Sequence, residues 1–145
     1  MKDEAPEGYE LIRREPGEFA EATGWFTLVG PLYRKTGLPA GQSAIRFFAG
    51  PKFRNAVDQA HGGMLAAFMD TVLVHAARGE GVPGTFVTLS MTVNYLSGAP
   101  LGEWIEGEGK VLRAGGQVVF AEGHARAGDK LIVHASGSFR KITRG

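Results

Sequence analysis

The fold is decided by residues 61–78, which have the sequence HGGMLAAFMDTVLVHAAR. A helix drawn through this segment carries apolar side chains on almost every side, and Asp70 and His75 interrupt the apolar run of residues 64–77. That run is too short to span a bilayer. We therefore predict one long helix from about His61 to Arg78, ended by Gly79. Because the helix lacks a polar face, a sheet should wrap around it.

The sequence after this helix predicts strands and turns only. Two of the separators, at residues 114–116 and 127–129, have the glycine content of hairpin turns. The predicted strands are residues 85–96, 103–113, 117–126 and 130–141. Successive strands joined by short turns form antiparallel pairs, so these four should make one sheet.

The sequence before the helix is less regular. Residues 25–49 favour two strands joined by a turn at residues 37–41, and residues 50–60 form a loop. Residues 1–17 are interpreted as a loosely held lead-in, followed by a short helix over residues 18–23. The length of 145 residues fits one domain with one core. The predicted class is α+β, with a curved antiparallel sheet around one central helix.

The strand at residues 85–96 alternates regularly. Val87, Leu89, Met91, Val93 and Tyr95 fall on one face, and Thr88, Ser90, Thr92 and Asn94 fall on the other. The first face is predicted to be core, whereas the hydroxyl-rich face fits solvent, a subunit interface or the wall of a site. Since sheet edges need covering, a homodimer is the minimum expectation.

The composition excludes several classes of protein. The 16 basic and 15 acidic residues give a net charge of +1, so nucleic acid is an unexpected partner. The absence of cysteine excludes disulfides, a thiolate nucleophile and sulfur-bound zinc. The beginning of the chain, MKDEAP, lacks the apolar core of a secretion signal. A cytoplasmic location is predicted.

Asp70 is the first candidate for chemistry. Its helical neighbours three and four residues away are all apolar and include no cation. A carboxylate in such surroundings is costly unless it meets a polar cavity or another subunit, and desolvation would raise its pKa toward that of a base. A structural Asp bonded to a hydroxyl or a backbone amide explains the same position equally well.

Gly62 and Gly63 begin the same helix, where unpaired amides and the helix dipole favour negative charge. Such amides can stabilise the developing negative charge of a carbonyl oxygen, as in an oxyanion hole. Close packing of the helix start against a strand is the alternative reading of two glycines.

Other familiar sites are not indicated by the sequence. The four histidines, at positions 61, 75, 124 and 134, have no common metal-ligand spacing. No serine lies in a nucleophile-elbow motif. The glycines of residues 107–109 and 115–116 lack the strand-to-helix context of a phosphate-binding loop.

Two adjacent segments carry a family resemblance. Residues 55–63, NAVDQAHGG, and residues 64–70, MLAAFMD, resemble the signature of hotdog-fold acyl-CoA thioesterases in the 4-hydroxybenzoyl-CoA thioesterase superfamily. The PaaI-like branch, named for phenylacetate metabolism, is the most similar. Residues 88–96, 30–33 and 137–139 also fit, so that the resemblance covers about residues 19–141. Ser90 departs from the pattern, since many relatives have an acidic residue there.

The resemblance implies a role for each matched residue. Gly63, with Gly62, would polarise the thioester carbonyl, while Asp70 would activate water or attack directly. Asn55 would place water or substrate, and Thr88 would assist the same step. The site would be shared across a dimer, with Asn55 and the His61 loop facing Asp70 and Thr88 of the other subunit. A homodimer that pairs into a dimer of dimers is expected, and no metal or cofactor is implied.

Coenzyme A would be part of the substrate, with its phosphates near the surface. The expected contacts are Arg113 and Gly115, with Arg140, Lys141 and Arg144 as further cations. Two alternative functions remain: a non-catalytic hotdog module that binds acyl-CoA, and a hotdog hydratase or dehydratase that uses His61 with an acid. The latter would leave coenzyme A attached to its product.

Overall fold

The structure is a computed structural model that describes residues 4–12, 25–78 and 85–142. The helices are α1 (Trp25–Val29), a short 3-10 helix (Pro51–Phe53) and α2 (Gly62–Arg78). The strands are β1 (Tyr9–Leu11), β2 (Leu32–Lys35), β3 (Gln42–Phe48), β4 (Thr85–Tyr95), β5 (Trp104–Gly115), β6 (Val118–Ala127) and β7 (Lys130–Ile142).

The seven strands form one antiparallel sheet in the order β1-β2-β3-β5-β6-β7-β4. The sheet curves around α2, which contacts strands from β3 to β4 across it. The helix contributes Phe68, Met69, Val72 and Leu73 to the core, and all four are almost completely buried. The predicted α+β class and the curved sheet around one helix are confirmed.

Glycines on β5 and β6 allow the sheet to approach α2 closely. A Cβ atom added at Gly107 would lie 2.7 Å from the Val72 side chain and 2.8 Å from the Phe68 ring. At Gly109 it would lie 2.7 Å from the Ser43 hydroxyl oxygen. That hydroxyl donates a hydrogen bond of 2.6 Å to the Val72 carbonyl of α2. The glycines of residues 107–109 therefore serve packing, which their sequence context did not reveal.

We expect Gly123→Ala to destabilise the fold by about 3 kcal/mol, because overpacking against backbone cannot be relieved by a rotamer change. The added Cβ would lie 2.3 Å from the Glu108 carbonyl oxygen and 3.1 Å from the Leu73 side chain. Urea denaturation measures the loss. Gly50→Ala is the control, because its Cβ would meet only the Phe48 ring at 3.9 Å. Equal unfolding midpoints for the two variants would contradict this packing role.

The predicted elements after residue 60 agree closely with the structure. Helix α2 begins one residue later than predicted, and each end of β4 to β7 lies within two residues of its predicted position. The predicted helix at residues 18–23 and the helix stop at Gly79 lie outside the described residues. Residues 9–11, in the predicted lead-in, form β1, which pairs with β2.

Residues 25–29 were predicted as the start of a strand, and this was wrong. They form the short helix α1, in which only Val29 is buried. The Lys52 ammonium donates hydrogen bonds to the carbonyls of Gly30 at 2.7 Å and Leu28 at 3.4 Å. A cation bonded to the last carbonyls stabilises a helix end. This partner is more than twenty residues away in the sequence, so the local pattern could not reveal it.

The predicted alternation of β4 was also wrong, because a β-bulge interrupts the strand. Thr88 pairs with Phe139 and Ser90 pairs with Ser138, which leaves Leu89 as an extra residue. An extra residue reverses the alternation of faces beyond it. Thr88 therefore shares the helix-facing side of β4 with Met91, Val93 and Tyr95.

Candidate active site

Asp70 lies in the middle of α2 and is half-buried. The Thr88 hydroxyl of β4 donates a hydrogen bond to the Asp70 Oδ1 atom. The bulge at Leu89 allows this contact, because it turns Thr88 toward the helix. The neighbouring strand β4 thus supplies the hydrogen-bond partner that Asp70 does not find on α2. The second carboxylate oxygen of Asp70 has no partner within the described residues.

The start of α2 is organised by His61. The His61 carbonyl accepts hydrogen bonds from the amides of Met64 at 2.9 Å and Leu65 at 3.1 Å. The Gly63 amide donates to the His61 Nδ1 atom at 2.9 Å, so that the imidazole acts as the helix N-cap. In the described part of the chain, the Gly62 amide has no acceptor. It is therefore the free donor at the positive end of the helix.

Tyr95, at the end of β4, is a further residue at the helix start. Its hydroxyl donates a hydrogen bond of 2.6 Å to the Gly62 carbonyl. The sequence analysis placed Tyr95 only on a predicted core face and missed this contact. The pairing of Tyr95 with the double glycine depends on how β4 crosses α2, and no local signal in the sequence reports it.

Asn55 shapes the loop that leads to the helix. Its Oδ1 atom accepts hydrogen bonds from the amides of Val57 and Gln59, both at 3.0 Å. These contacts form a compact turn of the kind that Asn side chains stabilise. After this turn, the His61 amide donates to the Phe53 carbonyl at 2.7 Å. Asn55 thus has a structural task in this chain, and its side-chain nitrogen has no partner within the described ranges.

The two parts of the site are far apart within one chain. Asp70 follows Gly62 by eight residues on α2, a rise of roughly 12 Å along the helix. Direct attack needs a nucleophile about 3 Å from the carbonyl carbon and an oxyanion donor about 3 Å from its oxygen. One chain therefore brings Asp70 and Thr88 together, and Gly62 and Tyr95 together, but does not bring the two pairs together.

Comparison with known proteins identifies the family. Residues 59–134, which include α2 and most of β4 to β7, match the family described as the thioesterase superfamily. The chain belongs to the thioesterase superfamily. The match includes Gly62, Asp70, Thr88 and Tyr95, so that both parts of the site lie within the family's shared region.

Individual relatives agree with membership of the thioesterase superfamily. The protein PA0474 of Pseudomonas aeruginosa, named as a candidate esterase, is 28% identical over 92% of this chain and 95% of its own length. The E. coli PaaI protein of the phenylacetic acid degradation operon has a TM-score of 0.73 at 17% identity, covering 81% of this chain and 83% of that one. A Streptococcus pneumoniae thioesterase protein solved with coenzyme A has a TM-score of 0.70 at 16% identity, covering 78% and 87%.

The basic residues of this thioesterase-superfamily chain lie on both faces of the sheet. Arg113 pairs with Phe120 and lies on the face turned away from α2, and Gly115 is exposed near the end of β5. Lys141 pairs with Phe86, and Thr88, two residues further along β4, pairs with Phe139. It therefore shares the helix-facing side with Thr88. Arg144 lies outside the described residues.

The remaining histidines of this thioesterase-superfamily chain are separate from the site. His124 lies 3.6 Å from Glu108 and His134 lies 3.5 Å from Glu122, on the face of the sheet away from α2. Burial lowers the pKa of His75, whose ring bonds the Thr71 carbonyl at 2.9 Å. Within the described ranges, no three acidic or histidine side chains are grouped to hold a metal ion, and no helix has the length and hydropathy to cross a membrane.

Proposed function

We propose that this chain hydrolyses acyl-CoA thioesters to a free acid and coenzyme A. The observation that carries the proposal is the presence of two features on the same helix. One is a carboxylate, Asp70, held by the Thr88 hydroxyl, and the other is a free amide, Gly62, at the helix start. Membership of the thioesterase superfamily and the coenzyme A in the Streptococcus pneumoniae protein support this substrate class.

The reaction needs only these groups. As a general base, Asp70 accepts a proton from water while the water oxygen bonds to the thioester carbon. As a nucleophile, Asp70 bonds to that carbon itself, and water then hydrolyses the resulting anhydride. In both routes the carbonyl oxygen becomes negative beside the Gly62 amide, and the C–S bond breaks to release the coenzyme A thiolate. A thiolate leaves readily, so a catalytic triad is not required.

We assign the oxyanion contact to Gly62 in preference to Gly63, which the resemblance favours. The Gly63 amide is already bonded to the His61 imidazole, and a substrate would have to displace that ring. The Gly62 amide needs no such displacement. Both amides belong to the first turn of α2, where the positive end of the helix dipole favours an anion.

We further propose that two subunits share each site through β4. This strand is an edge of the sheet and exposes the apolar side chains of Val87 and Leu89, which are 43% and 54% accessible. Long edge strands with exposed apolar residues pair readily with a second copy. An antiparallel pairing with its twofold axis at Thr92, in which Leu89 and Ser90 of the bulge count as one position, would place Thr88 opposite Tyr95 of the partner subunit. Asp70 of one chain would then face Gly62 of the other.

Mixing two inactive variants tests the shared site. We expect Asp70→Asn and Gly62→Pro, refolded together in equal amounts, to recover about a quarter of the native rate, because half of the dimers are mixed and each has one intact site. Each variant refolded alone is the control. Recovery no greater than the sum of the separate variants would contradict a shared site.

Thiol release from a panel of aryl- and fatty-acyl-CoA thioesters tests the activity itself. The chain contains no cysteine and adds no thiol background. Release from at least one thioester is expected. Binding of acyl-CoA without release would favour a non-catalytic module, and a modified acyl chain still attached to coenzyme A would favour a hydratase. Against the hydratase, His61 bonds to the Gly63 amide, and no acidic side chain pairs with it within the described residues.

Other proposals concern the surroundings of the reaction. Lys141, unlike Arg113, shares the helix-facing side with Thr88, and we propose that it contacts the coenzyme A phosphates in place of Arg113. A cytoplasmic location, the lack of a cofactor and pairing of dimers into tetramers stay predictions of the sequence analysis.

A further inference from the structure

The peptide group that joins Gly62 to Gly63 is held at both ends. Its carbonyl oxygen accepts the hydrogen bond from the Tyr95 hydroxyl at 2.6 Å, and its N–H donates to the His61 Nδ1 atom at 2.9 Å. The preceding peptide is fixed as well, because the His61 carbonyl accepts two amides of the first helical turn. The Gly62 N–H belongs to this preceding peptide, so that both peptide groups that meet at the Gly62 Cα atom are held by hydrogen bonds.

Such restraint matters at this position. Two successive glycines have wide conformational freedom, and the first turn of a helix is where fraying begins. An oxyanion donor is effective only if it is oriented before the reaction, since reorientation during the reaction costs free energy. A single mobile peptide at Gly62 would weaken the contact that the proposed function requires.

We infer that Tyr95 is a positioning residue, whose hydroxyl fixes the Gly62–Gly63 peptide, limits rotation about the Gly62 Cα atom and thereby keeps the N–H of the adjoining His61–Gly62 peptide directed toward the substrate carbonyl. This inference rests on the proposed function. Tyr95 is 53% exposed, so that its presence is not explained by core packing alone. Tyr95 also lies on β4, the same strand that supplies Thr88 to Asp70. One edge strand thus holds both parts of the site.

Tyr95→Phe removes the hydroxyl and keeps the ring. We expect kcat for thiol release to fall about fivefold with KM within about twofold, as loss of one ordinary hydrogen bond predicts. Amide exchange at Gly63, whose N–H is bonded to the His61 imidazole, should become about fivefold faster when followed by NMR. Tyr9→Phe is the matched control. Tyr9 lies on β1, at the opposite edge of the sheet, where its ring packs against Arg46.

The outcomes separate this inference from the proposed function. If the native chain releases thiol and Tyr95→Phe matches Tyr9→Phe in kcat, the positioning role is overturned and the thioesterase proposal stands. If the native chain releases no thiol, the thioesterase proposal fails. The exchange measurement then still decides whether Tyr95 fixes the peptide, and unchanged exchange in Tyr95→Phe overturns the inference.

Discussion

Asp70→Asn is expected to lower kcat for thiol release by about a thousandfold, the usual loss when a general base or nucleophile is removed. An amide can neither accept the proton of water nor attack a thioester at a useful rate. The substitution should preserve the fold, because the amide oxygen can still accept the hydrogen bond that Thr88 donates to Asp70. Initial rates of thiol release and a urea denaturation curve, measured on the same preparation, check both statements.

The matched control for this variant is Asp129→Asn. Asp129 is exposed in the turn between β6 and β7, and its substitution makes the same change of charge away from Thr88. We expect native rates from it. If Asp70→Asn also keeps the native rate while remaining folded, Asp70 is a structural residue, and the alternative reading of a helix Asp bonded to a hydroxyl is correct.

Gly62→Pro is expected to lower kcat by about a hundredfold, the typical loss of one oxyanion donor. Proline replaces the Gly62 amide proton with its ring Cδ atom, so that the nitrogen can no longer donate to the carbonyl oxygen. The fold should tolerate it, because Gly62 is the first residue of α2, where proline is favoured in helices. An added Cβ at Gly62 would meet the Tyr95 ring at 3.4 Å, which is a tolerable contact.

Gly62→Ala separates the amide from the glycine. Alanine adds a Cβ atom where proline also has one, but it keeps the N–H. We therefore expect kcat to stay within about threefold of the native value. Comparable losses from the alanine and proline variants would mean that space at Gly62 is needed, and would argue against its amide as the donor. An unchanged rate in Gly62→Pro would return the role to Gly63, with displacement of the His61 ring.

The sequence by itself predicted most of the fold after residue 60. Helix α2 has apolar residues on nearly every side, and the later strands are separated by short turns that contain glycine. Each element therefore follows from periodicity within its own segment. The same local reasoning failed at residues 25–29. Their β-favouring composition was outweighed by the bonds that Lys52 makes to the carbonyls of Leu28 and Gly30.

For the site, the sequence indicated which residues carry chemistry but not how they meet. Asp70 was singled out because an acid on an apolar helix is costly, and Gly62 and Gly63 because helix starts attract negative charge. The bulge at Leu89, which turns Thr88 to Asp70, was hidden because an extra residue is visible only against its pairing partner.

The hydrogen bonds of the two glycines are partly local and partly tertiary. The Gly63 amide is taken by the His61 imidazole, and the Gly62 carbonyl is held by Tyr95 from a strand 33 residues away. Local periodicity sets helices and strands, because their hydrogen bonds and faces repeat within a segment. The bond from Tyr95 to the Gly62 carbonyl joins two segments, and such a contact exists only after the sheet has closed around α2.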